Sequence, residues 1–106
     1  MFYELRQYRI KEGKRSEWVQ LMESEIIPFQ ASKGMVIVGS FVAEQEPNLY
    51  VWMRRFDSEE EREQLYKAVY ETDQWNNVIK PKIDTMLDRT SIVVTRLEPT
   101  VKSVLR

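Results

Sequence analysis

An α+β fold, an antiparallel sheet with its helices gathered on one face, is what this sequence predicts, and three observations carry the prediction. Hydrophobic periodicity switches between the alternation of a strand and the spacing of a helix, in the order strand, helix, strand, strand, helix, strand. The second and third strand patterns are separated only by a short polar connection, Glu44 to Asn48 with Pro47, which makes them an antiparallel hairpin. At 106 residues the chain is one domain, long enough to close a single core without staples.

Phe2 to Ile10 alternates as a strand, with Tyr3 and Leu5 on one side and Glu4, Arg6 and Tyr8 on the other, until Lys11, Glu12 and Gly13 turn the chain. From Lys14, Trp18, Leu21, Met22, Ile26 and Phe29 recur at helical spacing; the helix is expected to kink at Pro28 and to end at Lys33 with Gly34 as its cap. Met35 to Ala43 is β-branched, aromatic and nearly continuously apolar, which reads as an inner strand, and Gly39 marks a bulge or a close backbone approach. Leu49 to Phe56 is the strand around which the others are arranged. Alternation sets Leu49, Val51 and Met53 on one of its faces and Tyr50, Trp52, Arg54 and Phe56 on the other.

Ser58 and Glu61 fit a capping box at the start of a second helix, and the acidic run Glu59 to Glu61 complements its dipole. Leu65, Tyr66 and Val69 supply its buried stripe. Thr72 and Asp73 cap a further helical piece with Trp75, Val78 and Ile79, which Pro81 interrupts before Ile83, Met86 and Leu87 continue the stripe. Thr90 to Leu97 is the last strand and Pro99 ends it. Residues 1–98 thus form one domain and 99–106 a tail without strong pattern.

This order of elements is ferredoxin-like. Its usual arrangement lays the first strand beside the third, so Glu4, Arg6 and Tyr8 are expected next to Tyr50, Trp52 and Arg54 on one sheet face, with Leu5, Val51 and Met53 under the helices. The aromatic face would then be open and too apolar to stay wet, and a twofold homodimer through it is expected.

Composition excludes several chemistries. Without cysteine there is no disulfide, thiolate nucleophile or iron-sulfur site, and without histidine the commonest metal ligand, proximal haem ligand and neutral-pH base are all missing. A net charge of -1 gives no field for nucleic acid, and three glycines leave no phosphate-cradling loop. No acidic cluster has calcium- or magnesium-loop spacing. No run is long and apolar enough for a membrane span, and the N-terminus lacks the apolar core of a signal peptide, so the expected location is cytoplasmic. No cofactor, metal, nucleic acid or membrane is expected as a partner.

The candidate site residues are polar groups on the aromatic face. Arg6 and Arg54 need an anionic or carbonyl partner, either Glu4 or Asp57 within the chain or a ligand. Tyr8, Tyr50, Trp52 and Trp75 suit the lining of a pocket for a flat apolar molecule, or equally ordinary core and interface packing. Tyr66 and Tyr70 could reach the same pocket from the helical side, but their spacing does not place them. Acid-base chemistry would fall to Glu4, Asp57, Asp73 or a tyrosine.

Three motifs in order, Tyr3-Glu4-Leu5-Arg6-Gln7-Tyr8, the Trp52 strand ending Arg55-Phe56-Asp57, and Val69-Tyr70-Glu71-Thr72-Asp73-Gln74-Trp75 followed by Pro81-Lys82-Ile83, resemble the NIPSNAP family over Phe2 to about Leu97. The resemblance implies a dimeric α/β-barrel in which two ferredoxin-like sheets face one another. Its wider group includes cofactor-free monooxygenases, lactone isomerases and haem enzymes, the last generally using a histidine that this chain lacks. The function expected is a homodimer binding a small apolar or aromatic metabolite between sheet and helices. One alternative is a cofactor-independent monooxygenase or isomerase, with Arg54 or Arg6 stabilising an enolate-like anion and a tyrosine or Glu4 moving the proton. The other is a protein-interaction module with a filled interior and no ligand.

Overall fold

The structure, a computed structural model, describes residues 1–106. Strands β1 (Phe2–Arg9), β2 (Val36–Val42), β3 (Leu49–Phe56) and β4 (Val93–Leu97) form one antiparallel sheet in the order β2-β3-β1-β4. The first strand does lie beside the third, with Glu4 opposite Arg54, Arg6 opposite Trp52 and Tyr8 opposite Tyr50. Three helices pack on one face: α1 over 15–32, α2 (Glu59–Tyr70) and α3 over 74–84. The four strands of one chain leave the sheet open rather than closed into a barrel. No helix is long and apolar enough to cross a membrane.

The covered face is the reverse of the one expected. Helices shield Glu4, Tyr8, Tyr50, Trp52, Arg54 and Phe56, all buried, whereas Leu5, Val51 and Met53 are only half-buried on the open side. Aromatic rings bury far more area than Leu, Val or Met, and α1 and α2 bring Trp18, Met22, Tyr66 and Tyr70 to pack on them. The charged pair within that face is tolerated because Gln30, Arg62, Tyr66 and Tyr70 of the helices bond to it, which alternation along one strand does not reveal.

Two further expectations change. β2 is an edge strand, with Val36, Phe41 and Val42 exposed, and not an inner one. Its apolar run spans both faces because the register shifts between Ile37 and Gly39, the bulge that glycine marked. The last strand starts at Val93 rather than Thr90, since the Asp88 carboxylate accepts from the Thr90 N–H at 3.0 Å and winds Arg89–Ser91 into a 3-10 turn.

The two helical prolines, Pro28 and Pro81, are accommodated by widening the helix rather than breaking it. In α1 the backbone is α-helical at Arg15–Leu21, π-helical at Met22–Ile26 and α-helical again at Ile27–Ser32; α3 runs π at Gln74–Ile79 and α at Lys80–Asp84. Each π segment ends just before the proline, Pro28 or Pro81. A proline has no N–H and its ring crowds the carbonyl four residues back, so the ladder shifts by one: Ile27 N–H donates to Met22 O, and Lys80 N–H to Trp75 O. α1 then stops in a Schellman cap, with Met35 N–H on Gln30 O and Gly34 N–H on Ala31 O, both at 3.0 Å, which requires the positive φ of Gly34.

At the head of α2 the Ser58 hydroxyl accepts from Glu61 N–H at 3.0 Å. The Glu61 carboxylate reaches back one residue beyond the usual box, to Asp57 N–H at 3.1 Å. The tail over 98–106 turns back on the open side, where Arg55 Nε donates to the Arg106 carbonyl at 2.8 Å.

Candidate functional site: an aromatic cavity above a buried arginine

Register and helical spacing together assemble the site. Directly opposed residues of β1 and β3 share a face, so Glu4 meets Arg54, and on α2 Arg62, Tyr66 and Tyr70 follow one another at four-residue spacing above them. Arg54 is fully buried. Its Nη2 donates to Glu4 Oε1 at 2.9 Å and to the Tyr66 hydroxyl at 2.7 Å, while Nη1 donates to the Tyr70 hydroxyl at 2.7 Å and Gln30 Oε1 at 3.0 Å. Its Nε has no hydrogen-bond partner. The guanidinium instead lies over the Trp52 and Tyr66 rings, 4.8 and 5.1 Å from their centroids.

Glu4 is equally occupied. Oε1 also accepts from the Tyr66 hydroxyl and Oε2 from Arg62 Nε, both at 2.7 Å. Burial alone would raise its pKa, but the bonds from Arg62 and Tyr66 and the charges of Arg54 and Arg62 outweigh burial and lower it. A carboxylate so held is no general base. Burial likewise pushes the Tyr66 phenol up to about 12 against the pull of the Arg54 charge, so it remains a proton donor to Glu4 at neutral pH. For Arg54 the phenols of Tyr70 and Tyr66 and the Glu4 carboxylate reverse the effect of burial, and its pKa is raised.

Above this network, between sheet and helices, lies a cavity of about 250 Å³. Of the residues singled out from the sequence, Arg6, Tyr8, Trp52 and Trp75 line it, joined by Tyr66 and Tyr70. The two π-helical segments supply much of the rest, Met22 and Ile26 from α1 and Trp75 and Asn76 from α3, so the prolines help shape its wall. Arg54 and Tyr50 stand outside the lining. Arg54 has both Nη atoms committed to protein partners, and the Tyr50 hydroxyl bonds Ser40 Oγ at 2.6 Å, with its phenol pushed up to about 12 by burial. Asp57 pairs with Arg55 at 2.6 Å and takes no part in the cavity.

Two members escape the sequence reading, Gln30 and Arg62. Gln30 is fully buried and lines the cavity, bridging Arg54 and Tyr70, the latter through Nε2 at 3.3 Å. A lone glutamine near a helix end carries no signal for that role. Arg62 was legible in principle, because its four-residue spacing to Tyr66 and Tyr70 puts all three on one helical face. No group of carboxylates is arranged to hold a metal ion.

Fold and site together define a ferredoxin-like α+β protein with an aromatic cavity between sheet and helices. The chain belongs to the NIPSNAP family, whose model matches residues 3–100. Among solved structures, protein Atu4242 from Agrobacterium tumefaciens is 29% identical, with a TM-score of 0.90 and all of both chains covered. A NIPSNAP family protein from the same organism, ATU5224, is 28% identical at a TM-score of 0.88, covering 99% of this chain and 98% of that one. A putative antibiotic biosynthesis monooxygenase from Nitrosomonas europaea shares the fold alone, at 8% identity and a TM-score of 0.69, with 93% of this chain and 98% of that one covered. No curated protein matches the chain.

Proposed function

We propose that this protein is a homodimer that binds a small, largely apolar or aromatic molecule in the cavity between its sheet and its helices. The observation that carries the reading is the cavity itself, about 250 Å³ and walled by Trp18, Trp52 and Trp75, every tryptophan of the chain. A dry cavity of about 150 Å³ accommodates benzene, so this one suits a molecule of one or two rings. It weighs against an interaction module with a filled interior. The lack of cysteine is consistent with the cytoplasmic location proposed with this reading.

Dimerisation is proposed through the open sheet face. Phe41, Val51 and Val93 lie in one cross-strand row with Gln7, and Met53 and Leu5 lie in the next, so the apolar residues are contiguous. Phe41 and Val93 are 55% and 52% exposed, too much for apolar side chains so grouped to remain in water. The dimer thus uses the aliphatic face and leaves the aromatic face for the ligand.

A native mass spectrum of the purified protein, followed by denaturing release, tests both parts. A dimer carrying a discrete small molecule is expected. A strict monomer across the working concentration range overturns the dimer; interior density filled by side chains in an experimental structure overturns the ligand. A second reading, cofactor-independent oxygenation or isomerisation of that ligand, draws support from the monooxygenase-like fold. Glu4 and Arg54 are both consumed by internal bonds, so in that reading Arg6 faces the anion and Tyr8 or Tyr70 moves the proton.

A further inference from the structure

The polar groups of the cavity wall are unbalanced. Arg6, Lys80 and Arg89 line it and no carboxylate does, and of the three only Arg89 has a close ion pair, with Asp84 outside the lining. The Glu4 charge next to it is already shared by Arg54 and Arg62 at 2.9 and 2.7 Å, leaving Arg6 only a 3.8 Å approach to the same group. Arg6 nonetheless has a side chain only 17% exposed. A guanidinium largely withdrawn from water calls for a counter-charge or full hydrogen bonding, and Arg6 has only its distant share of Glu4 and an incomplete set of bonds. Its Nε donates to the Tyr8 hydroxyl at 2.8 Å and its Nη1 to the Tyr66 hydroxyl at 3.5 Å; Nη2 has no partner in the chain.

Hydroxyl protons point to the same deficit. The Tyr66 proton is used on Glu4, but the Tyr8 oxygen only accepts, from Arg6, and the Tyr70 oxygen only accepts, from Arg54 and Gln30. Two phenol protons, each on an oxygen polarised by a guanidinium, therefore have no acceptor within the protein. Apart from the amide oxygens of Gln30 and Asn76, the wall offers donors, and it has no anionic acceptor.

We propose that the cavity takes an anion, an aromatic or similarly flat apolar carboxylic acid whose carboxylate accepts from Arg6, Tyr8 and Tyr70 while its body lies among the tryptophans, and the proposal rests on the cavity being a ligand site. The carboxylate supplies Arg6 with a counter-charge not shared with Arg54 and Arg62, and gives both phenols an acceptor. An amine or neutral hydrocarbon of equal size satisfies none of them.

Because all three tryptophans line the cavity, their emission reports its occupancy. The test titrates the protein with benzoate, 3-phenylpropanoate and 2-naphthoate, each against its own amide and the corresponding amine. At least one acid is expected to bind about tenfold or more tighter than its amide, the scale of one charge-assisted hydrogen bond, with the amine weaker still. Arg6→Met is expected to bring that acid down to the affinity of its amide. Tyr8→Phe, which keeps the ring and the Arg6 charge, narrows the preference if Arg6→Met fails to fold. Acid and amide binding equally in the wild type overturns the anion while the cavity reading stands. An acid preference untouched in folded Arg6→Met, or in Tyr8→Phe where Arg6→Met does not fold, overturns the assignment to this end of the cavity. No response to any probe up to its solubility overturns the cavity reading and the anion with it.

Discussion

Arg54 shows what a buried charge demands of its neighbours. Glu4, Gln30, Tyr66 and Tyr70, distant in sequence, converge on its two Nη atoms, and removing Glu4 leaves a fully buried cation without its counter-charge. Glu4→Gln is expected to cost about 3–5 kcal/mol at neutral pH, read from urea denaturation. The pKa of Glu4 is lowered in the folded protein from its ordinary value of 4.5, so its contribution to stability is fully present above that value and is lost as pH falls through the folded-state pKa. The wild type should therefore lose stability on acidification below pH 4.5 more steeply than Glu4→Gln. The reverse holds for Tyr50 and Tyr66, whose phenols are pushed up to about 12 from 10.0. What they contribute is present below pH 10.0 and lost as pH rises towards about 12. An ultraviolet titration should find the Tyr50 and Tyr66 phenols still protonated above pH 10.0 for as long as the protein stays folded.

Among the elements, the helices show how local chemistry is turned to use by packing. Pro28 and Pro81 were each legible as disruptions, yet neither ends its helix. The displaced ladder adds a residue to the turn and projects Met22, Ile26 and Trp75 into the space above the sheet. The start of α2 was legible at Ser58, whose hydroxyl satisfies the Glu61 N–H whatever the helix packs upon, although the Glu61 carboxylate turns to Asp57 N–H rather than closing the box. Ser58→Ala is expected to lower stability by about 1 kcal/mol, measured by thermal or urea unfolding, with the cavity unchanged. Gly39 has a further constraint that its strand pattern only hinted at. A Cβ there would come within 2.5 Å of the Phe41 ring, so any side chain displaces that ring from the open face.

For the whole molecule the proposed assembly turns on the open face. Val51 sits near its middle, paired with Gln7 on one side and Phe41 on the other, and makes no part of the cavity lining. Val51→Asp is expected to convert a dimer into a folded monomer in sedimentation velocity, because a carboxylate brought into an apolar interface loses its hydration. If Val51→Asp leaves the dimer intact, the interface lies elsewhere. Retention of probe binding in the monomer would show that each chain holds a complete site.

The sequence by itself determined the order of elements, the irregularity at Gly39 and the cap at Ser58, because periodicity, turn residues and caps act over a few residues; the adjacency of β1 and β3 followed from the usual ferredoxin-like arrangement, and the family from the resemblance of three motifs. It also brought Arg6, Tyr8 and Trp52 onto one face, since parity along a strand is local. Only the tertiary structure decided which face the helices cover, that Arg54 lies beneath the cavity while Arg6 borders it, and that Gln30 closes the network. Both sheet faces are apolar enough to be buried, so parity alone leaves that choice open. It falls to side chains as much as 62 residues apart, as Tyr66 is from Glu4, whose hydroxyls and rings make one face habitable for a charge.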